Sequence, residues 1–256
     1  MNKKIIAVVQ ARMDSSRLPG KSLLKIGNWA IIELVMERIK QSSEINDVVL
    51  ATSINSKDDV LADYIQNKGF TVFRGSEEDV LSRFYNAAKS FKPDAVLRVT
   101  GDCPLISPKL IDMSVKKFNE MNVDYFSLAI GETKERAFPR GFDVEIASFA
   151  ALTEAMNEAE EKYEREHVMP FLYTNGDRYT TYYLEPPQEH SRPNYRLCVD
   201  TQEDYETILK IYTNFQEKII NTDFVEIINF LDDNPEVAKS NKTAKQKHFT
   251  ETDKRM

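Results

Sequence analysis

The sequence predicts a doubly wound α/β fold, in which a largely parallel sheet lies between two layers of helices. Short apolar runs alternate along the first half of the chain with segments whose apolar residues recur at helical spacing, a pattern typical of strands joined by crossover helices. Residues 5–9 are apolar throughout, as expected for a strand that is covered on both faces of the sheet. Ligands of such folds bind outside the carboxyl ends of the strands, so the residues that follow each strand are candidates for function.

The first half is predicted to contain strands and helices in alternation. We expect strands at residues 4–9, 48–52, 71–73, 95–99 and 125–129. Between them, apolar residues at helical spacing predict helices at residues 31–40, 58–68, 79–91 and 108–121.

The second half follows a looser pattern and is expected to complete the same domain. We expect loops at residues 131–142 and 186–193, and strands at 143–146, 179–184 and 195–199. Helices are expected at residues 149–161, 165–173, 203–215 and 222–233. No repeat or low-complexity linker interrupts the chain, so residues 1–235 are predicted to form one domain. Residues 236–256 have few apolar side chains and are predicted to be a charged tail outside the core.

Composition limits the classes of function that the chain could have. It has 256 residues and a net charge of −7, which disfavours nonspecific binding to nucleic acid. Its two cysteines and three histidines argue against a disulfide framework and against structural zinc. No window approaches the roughly 18 consecutive apolar residues of a membrane span, and the first apolar run is too short for a signal peptide. We therefore expect a cytoplasmic protein with no membrane partner.

The loop at residues 10–21 is the strongest functional signal in the sequence. It follows the first strand and contains three cations, two hydroxyl side chains and a Pro-Gly turn, namely Arg12, Arg17, Lys21, Ser15, Ser16, Pro19 and Gly20. Cations and backbone N–H groups in such a loop hold phosphate oxygens. A Walker loop would have glycine where Ser15 stands, and no G-x-G-x-x-G motif occurs nearby. The loop therefore predicts a nucleotide or phosphate site of another lineage.

Aspartates follow two of the predicted strands. Asp102 comes after the strand at 95–99, between a glycine and a proline, and Asp200 follows the strand at 195–199. Magnesium beside phosphates needs only one or two carboxylates, so these two aspartates could meet at one metal ion. The alternative for Asp102 is a tight turn in which its side chain only accepts from backbone donors. Thr201 and Asp204 form a capping-box pattern, which indicates a helix start but does not require Asp200.

Three further polar residues have two interpretations each. Asp143 and Glu145 share a strand face by the period of two, where they could bind sugar hydroxyls or a metal, or form a solvated edge. His167 lies near the start of a predicted helix and could be a packed or capping side chain rather than a catalyst. No Ser–His–Asp or Cys–His pattern is present in the sequence, so covalent catalysis has no support.

The motifs taken together resemble one family. They are Ala11-Arg12-x-x-Ser15-x-Arg17-Leu18-Pro19-Gly20-Lys21, Arg98-x-x-Gly101-Asp102-x-Pro104 and Val199-Asp200-Thr201-x-x-Asp204. They resemble the CTP-dependent cytidylyltransferases that activate acidic sugars, such as the CMP-Kdo and CMP-sialic acid synthetases, and most of all their SpsF-like spore-coat polysaccharide branch. Further elements of that branch are Phe73-Arg74-Gly75-Ser76, Asp79-Val80-Leu81-x-Arg83, Gly141-x-Asp143-x-Glu145 and Arg165-Glu166-His167. The resemblance covers residues 4–210.

The resemblance implies a Rossmann-like, three-layer α/β/α nucleotidyltransferase fold of the glycosyltransferase-A type. Residues 1–130 would mainly bind the nucleotide, and residues 131–199 would mainly bind the acceptor and form a homodimer. The implied substrates are CTP and a small acidic sugar or phosphorylated acceptor, and the implied cofactor is Mg²⁺. The implied reaction is attack of an acceptor oxygen on the α-phosphorus with release of pyrophosphate, in surface polysaccharide biosynthesis.

The resemblance also implies roles for particular residues. Those expected to bind the nucleotide are Ala11, Arg12, Ser15, Arg17, Lys21, Arg74 and Arg98. Asp102 and Asp200 match magnesium ligands, and the acceptor-binding residues would be Asp143, Glu145 and His167. Lys21, Arg17 and Asp102 would carry catalysis, the two cations by stabilising the departing pyrophosphate. The acid-sugar synthetases have other residues at positions 101–104, so their sugar specificity does not transfer to this chain.

Two other classes of function remain open from the sequence. A glycosyltransferase could use the same architecture to transfer a sugar from a nucleotide-sugar, and it would release a nucleotide rather than pyrophosphate. A non-catalytic nucleotide-binding protein of the same pathway is the second alternative. The presence of the whole basic loop together with both aspartates argues against the second alternative.

Overall fold

The computed structural model describes residues 3–128 and 136–244, and its centre is a seven-stranded sheet with the order β5-β4-β1-β6-β8-β7-β9. A separate two-stranded sheet pairs β2 with β3. The strands are β1 (Ile5–Gln10), β2 (Lys25–Ile26), β3 (Trp29–Ala30), β4 (Asp47–Ser53), β5 (Thr71–Gly75), β6 (Ala95–Thr100), β7 (Tyr125–Ser127), β8 (Glu145–Ser148) and β9 (Thr181–Tyr183). The helices are α1 (Ile31–Lys40), α2 (Asp59–Asn67), α3 (Val80–Lys89), α4 (Pro108–Met121), α5 (Phe149–Glu158), α6 (Lys162–His167), α7 (Pro170–Thr174), α8 (Gln202–Phe215), α9 (Phe224–Asp233) and α10 (Pro235–Ala238).

Strand direction places the carboxyl ends of the central strands at one edge of the sheet. β1 pairs in parallel with both β4 and β6, and β4 pairs in parallel with β5. Only β8 breaks the pattern, because it runs antiparallel to its neighbours β6 and β7. The loops that follow β1, β4, β5 and β6 therefore leave the sheet on the same side, where ligands of such folds bind.

The core consists of two apolar clusters separated by the sheet, as the continuous apolar first strand predicts. Alternate residues of β1 point to opposite faces, with Ile5 and Val9 in one cluster and Ile6 and Val8 in the other. Helices α1, α2, α4, α8 and α9 cover the first face, and α3, α5 and α7 cover the second, with α6 packed against α3 and α7. The predicted three-layer α/β/α fold is confirmed. Among the described residues, we find no helix long and apolar enough to cross a membrane.

Local capping explains where the best-predicted helices begin and end. Helix α4 has the bounds that the sequence predicts: the Ser107 side chain accepts from the N–H of Leu110, and Pro108 occupies the first turn. The helix ends at Asn122, which adopts the left-handed conformation with φ of 48°. At the start of α3, the Asp79 side chain accepts from the N–H of Ser82.

Several predictions for the second half are wrong in detail. The helix predicted at 165–173 is two helices, α6 and α7, because Val168 between them has a φ of 73° that no helix allows. The strand predicted at 143–146 begins only at Glu145. The predicted strand at 195–199 is irregular chain with one isolated bridge between Arg196 and Arg140, although Leu197, Cys198 and Val199 are buried. Residue 129 of the fifth predicted strand and residues 131–135 of the predicted loop lie outside the described residues.

The chain after Pro235 packs more closely than its composition predicts. Val237 in α10 belongs to the apolar core cluster, and Asn241 in the turn that follows is only 2% exposed. The prediction that the tail lies outside the core is therefore wrong for these residues. Residues 245–256 of that tail lie outside the described part of the chain.

Candidate active site

The loop after β1 folds back on itself, and two of its basic residues, Arg17 and Lys21, reach carboxylates beyond the loop. The Met13 carbonyl accepts hydrogen bonds from the N–H groups of Ser15 and Gly20, at 3.1 Å each. Gly20 has a φ of 72°, a conformation that favours glycine, and a short 3₁₀ turn (Lys21–Leu23) follows it. Asp58 also holds the loop, because its carboxylate accepts from the N–H of Met13 at 2.7 Å.

Lys21 is the centre of the site. Its Nζ lies 2.9 Å from Asp102 Oδ2 and 2.8 Å from Asp200 Oδ1, and it also donates to the Val199 carbonyl at 2.8 Å. The ammonium thus joins two carboxylates that are 98 positions apart in the printed sequence. The side chains of Lys21 and Asp200 are each 14% exposed and that of Asp102 is 23% exposed, so water screens these charges only partly.

Asp102 is held by side chains rather than by the turn it lies in. The Thr100 hydroxyl donates to Asp102 Oδ1 at 2.7 Å, while Lys21 binds the other carboxylate oxygen. Burial raises the pKa of Asp102, but the Lys21 charge and the Thr100 hydrogen bond outweigh burial and lower that pKa to about 2. Asp102 is therefore an anion at neutral pH, available to a cation.

Asp200 lies among three cations. Lys21 binds Oδ1, while Arg17 Nη2 and Arg196 Nη2 lie 2.9 Å and 2.8 Å from Oδ2. Burial alone would lower the pKa of Lys21, yet the two aspartates raise it, so Lys21 remains charged. Four residues predicted for the site form one cluster, namely Arg17 and Lys21 of the basic loop with Asp102 and Asp200.

Close backbone packing brings together the end of β1, the turn after β6 and the segment before Asp200. The N–H of Gly101 donates to the Gln10 carbonyl at 2.9 Å, and the N–H of Val199 donates to the Asp102 carbonyl at 2.8 Å. A Cβ at Gly101 would lie 2.7 Å from the Ala11 Cβ, closer than real Cβ contacts, so glycine permits this approach. Ala11 thus lies against the turn that carries Asp102, as a residue that shapes the site.

Gly141 likewise permits close backbone packing, here against residues 197–198 in the segment that carries Asp200. It has a φ of 102°, and a Cβ there would lie 2.6 Å from the Leu197 carbonyl carbon and 2.8 Å from the Cys198 nitrogen. Left-handed strain and this contact add, so we expect Gly141→Ala to lower the free energy of unfolding by about 2–5 kcal/mol. Thermal and urea unfolding would measure the loss.

Gly69 and Gly176 provide matched controls for that substitution. Gly69 also has a positive φ, of 84°, but an added Cβ would meet nothing within 4 Å, so Gly69→Ala isolates the backbone strain. Gly176 has open space around it and no φ in that region, so alanine there should be nearly neutral. A Gly141→Ala variant no less stable than Gly69→Ala would contradict the close contact with residues 197–198.

Two arginines that the resemblance assigns to the nucleotide are bound within the protein. Arg74, at the end of β5, donates to the carbonyls of Ser53 and Asn55 at 2.9 Å each and pairs with Asp59. Arg98 forms an ion pair with Glu145 in the neighbouring strand and donates to Gln10 Oε1 at 3.0 Å. Both lie near the carboxyl ends of their strands, outside the cluster of Arg17, Lys21, Asp102 and Asp200. Their nucleotide contacts remain predictions.

The predicted acceptor residues do not form one group. Glu145 is buried, where it pairs with Arg98 and accepts from the Tyr125 hydroxyl at 2.6 Å, so it is no solvated edge residue. Asp143 precedes the strand, pairs with Arg136 and accepts from the N–H of Gly141. His167 ends α6 on the far helical layer, and its carbonyl accepts from the N–H of Met169 at 2.9 Å. Their roles towards an acceptor remain predictions.

Sequence reasoning missed the support behind Asp200. Asp204 is fully buried and accepts from the N–H groups of both Asp200 and Thr201, so it is more than the capping-box residue that the pattern indicates. Arg196 donates to Asp204 as well as to Asp200. Buried Asn241 donates to Asp204 from 37 residues away. The capping box is a local signal for Asp204, but no spacing in the sequence points to Arg196 or Asn241.

The donor set of the cluster fits a hard divalent cation. Among residues 3–128 and 136–244, no group of three or more His, Cys, Asp and Glu side chains is placed to hold a metal ion. Asp102 and Asp200 instead offer two carboxylates to one cation, the Lys21 ammonium. Mg²⁺ is bound in nucleotide sites by one or two carboxylates with phosphate oxygens and water, so this pair is sufficient once phosphates are present.

Comparisons with known proteins agree on one family. The family model described as "Cytidylyltransferase" matches residues 6–249. An uncharacterised protein of Methanocaldococcus jannaschii is 41% identical to the chain, over 98% of this chain and 99% of its own length. The spore coat polysaccharide biosynthesis protein SpsF of Bacillus subtilis is 34% identical, over 91% of this chain and 96% of its own length.

Two further similarities concern a partial match and the fold. A 3-deoxy-manno-octulosonate cytidylyltransferase of Leptospira interrogans is 36% identical, over 44% of this chain and 45% of its own length. The solved structure of a cytidylyltransferase from Leptospira borgpetersenii superposes with a TM-score of 0.83 and 33% identity, covering 96% of this chain and all of that one. The match therefore covers nearly the whole of this chain.

Proposed function

This chain belongs to the cytidylyltransferase family and is a CTP-dependent nucleotidyltransferase; from that premise, we propose that it transfers CMP from CTP to an acidic sugar or a related phosphorylated acceptor, releasing pyrophosphate, in surface polysaccharide or glycoconjugate biosynthesis. The observation that carries the proposal is the cluster in which Lys21 joins Asp102 and Asp200 at the carboxyl edge of the sheet. Cations on the β1 loop stand beside it, where a triphosphate would need them.

The reaction requires little more from the protein than positioning and charge. An acceptor oxygen attacks the α-phosphorus while the bond to the bridging oxygen of pyrophosphate breaks, and negative charge increases on the departing group. Lys21 and Arg17, both already at the cluster, would move from carboxylate to phosphate oxygens and stabilise that charge. Partial burial strengthens these contacts, because water competes less for the same groups.

Asp102 and Asp200 would hold Mg²⁺, which supplies neutralisation of the phosphate charge when it is bound. The low pKa of Asp102 keeps it ionised for that role, and Arg196 holds the orientation of Asp200. Thr100 fixes the other oxygen of Asp102, so the two carboxylates are preorganised towards the same point.

Cations in the second half support an acidic acceptor. Arg136 and Arg140 both lie shortly before Asp143, and burial together with the charge of Arg136 lowers the pKa of Arg140. The backbone of Arg140 forms an isolated parallel β-bridge with that of Arg196, whose guanidinium group reaches Asp200 in the cluster. An acceptor that bears a carboxylate or phosphate would be attracted to these guanidinium groups. The partial match to a 3-deoxy-manno-octulosonate cytidylyltransferase supports the same class of acceptor.

Pyrophosphate release is the direct test of the proposal. Each of the four nucleoside triphosphates would be incubated with Mg²⁺ and a panel of sugar acids, sugar phosphates and phosphorylated polyols, with pyrophosphate detected by a coupled assay. We expect release only with CTP and an anionic acceptor, with formation of a CMP conjugate visible by mass spectrometry. Turnover of a nucleotide-sugar with release of a free nucleotide would instead indicate a glycosyltransferase. Pyrophosphate release with neutral acceptors alone would contradict the acidic class.

A further inference from the structure

Asn241 is a buried polar residue in a part of the chain that composition assigns to a solvated tail. It is 2% exposed and lies three residues after helix α10. Burial of an amide costs free energy unless its polar atoms are hydrogen-bonded, so its partners are informative.

The side-chain nitrogen of Asn241 contacts two residues that hold Asp200, namely Asp204 and Arg196. Nδ2 donates to Asp204 Oδ1 at 2.9 Å and to the Arg196 carbonyl at 2.9 Å. A side-chain amide nitrogen carries two hydrogens, so these bonds use its full donor capacity. Asn241 therefore binds both the carboxylate of Asp204 and the backbone of Arg196.

Those two residues in turn fix Asp200. Asp204 Oδ2 accepts from the Asp200 N–H at 3.0 Å, and Arg196 Nη2 lies 2.8 Å from Asp200 Oδ2. Arg196 also binds Asp204 through Nε at 2.9 Å, which closes the network. Asp200 is thus held at its backbone and at its carboxylate by groups that Asn241 contacts.

We propose that Asn241 is a positioning residue for Asp200, so that the C-terminal segment (residues 235–244) completes the metal-binding half of the active site. This inference rests on the proposed function, in which Asp200 binds Mg²⁺. Val237 anchors the segment in the core, and Ser240 Oγ lies 2.7 Å from Thr207 Oγ1 on α8.

The test uses the full-length chain and Mn²⁺ as a magnetic probe for the divalent ion. Free Mn²⁺ would be followed by electron paramagnetic resonance during titration of the protein with CTP present and no acceptor, after subtraction of the signal change caused by CTP alone. The variants are Asn241→Ala, which removes both hydrogen bonds, and Asn241→Ser, a milder change that retains one donor. Ser240→Ala is the control, because it removes hydrogen bonds of the same segment to Thr207 and Val237 but none to the network.

We expect Asn241→Ala to weaken Mn²⁺ binding by about tenfold, as changes behind metal ligands usually do, and Asn241→Ser to weaken it by less. The KM for CTP should change less than twofold by rough estimate, because the cations of the β1 loop are untouched. Ser240→Ala should leave Mn²⁺ binding unchanged even where it lowers the melting temperature.

Two results would overturn the inference. Equal Mn²⁺ affinity in the wild type and both Asn241 variants would show that Asp200 does not depend on the amide. An equal loss in Ser240→Ala and Asn241→Ala would show general loosening of the segment instead. Absence of protein-dependent Mn²⁺ binding in the wild type is a different outcome, since it would remove the metal role of Asp102 and Asp200 and this inference with it.

Discussion

Replacing Asp102 with asparagine is expected to reduce CMP transfer by about a thousandfold or more, because the change removes one of the two carboxylates that would hold the divalent ion. Asparagine has nearly the same shape, and Thr100 can still donate to its carbonyl oxygen, so the fold should be retained. The measurement is pyrophosphate release at saturating CTP and acceptor, with circular dichroism and thermal unfolding to monitor the fold.

Asp232 provides the matched control for the substitution at Asp102. Asp232 also has its carboxylate bound by side chains, but its partners are Arg192 and Tyr195 rather than the cluster. Asp232→Asn should therefore preserve turnover while losing a comparable set of hydrogen bonds. Normal turnover by Asp102→Asn would rule out a metal-binding role for Asp102. If Asp102 binds the metal, a higher Mg²⁺ concentration should not fully restore the activity of the variant.

The parts of the fold that depend on local pattern could be predicted from the sequence. The apolar run of β1 implies a strand covered on both faces, and the capping residues around α4 define its ends. The prediction of a strand at 195–199 was wrong because its apolar residues, such as Leu197 and Val199, are buried in a segment with only one isolated bridge. The break at Val168 was not predictable, since a β-branched residue gives no signal for a positive φ.

The candidate site was likewise predictable only where its residues follow a local pattern or a general rule. The rule that ligands bind at the carboxyl edge of the sheet predicts the position of Asp102, because Asp102 follows β6. Asp200 reaches the same place from a segment with one isolated bridge, not from the strand predicted at 195–199. Arg98 and Glu145 could not be recognised as partners, since their pairing requires β8 to lie beside β6, which no local pattern encodes. Asn241 is the extreme case, as its role depends on where the end of the chain returns to the core. The homodimer and the cytoplasmic location remain predictions.

Replacing Lys21 with alanine is the second change with a large expected effect. The ammonium is the only group through which the described contacts join Asp102 directly to Asp200, and it is also the cation nearest to both. We expect kcat to fall by about a hundredfold and the KM for CTP to rise by about tenfold, because both leaving-group and ground-state phosphate contacts disappear. Initial rates across CTP concentrations, at saturating acceptor, would measure both constants.

Lys25 provides the matched control for Lys21. It lies four residues later and donates to the Tyr64 hydroxyl at 2.9 Å on an exposed surface, so Lys25→Ala should leave kcat and KM unchanged. Both substitutions remove one positive charge from the same end of the chain, which separates a specific contact from a change in net charge. Unchanged kinetics in Lys21→Ala would exclude Lys21 from the site.

The pH dependence of stability gives an independent test of the Lys21 contact. The folded pKa of Asp102, about 2, lies below the ordinary aspartate value of 3.8. The pair therefore stabilises the protein above about pH 4 and loses that effect as the pH falls towards 2. Without Lys21, Asp102 loses the neighbouring positive charge that most lowers its pKa, so its anion is less stabilised at neutral pH. The difference in unfolding free energy between wild type and Lys21→Ala should therefore be largest near pH 7. It should shrink as the pH falls from about 4 towards 2, where Asp102 of the folded wild type takes up its proton. A difference that stays constant across this range would show that the ammonium does not interact with Asp102, whatever its effect on turnover.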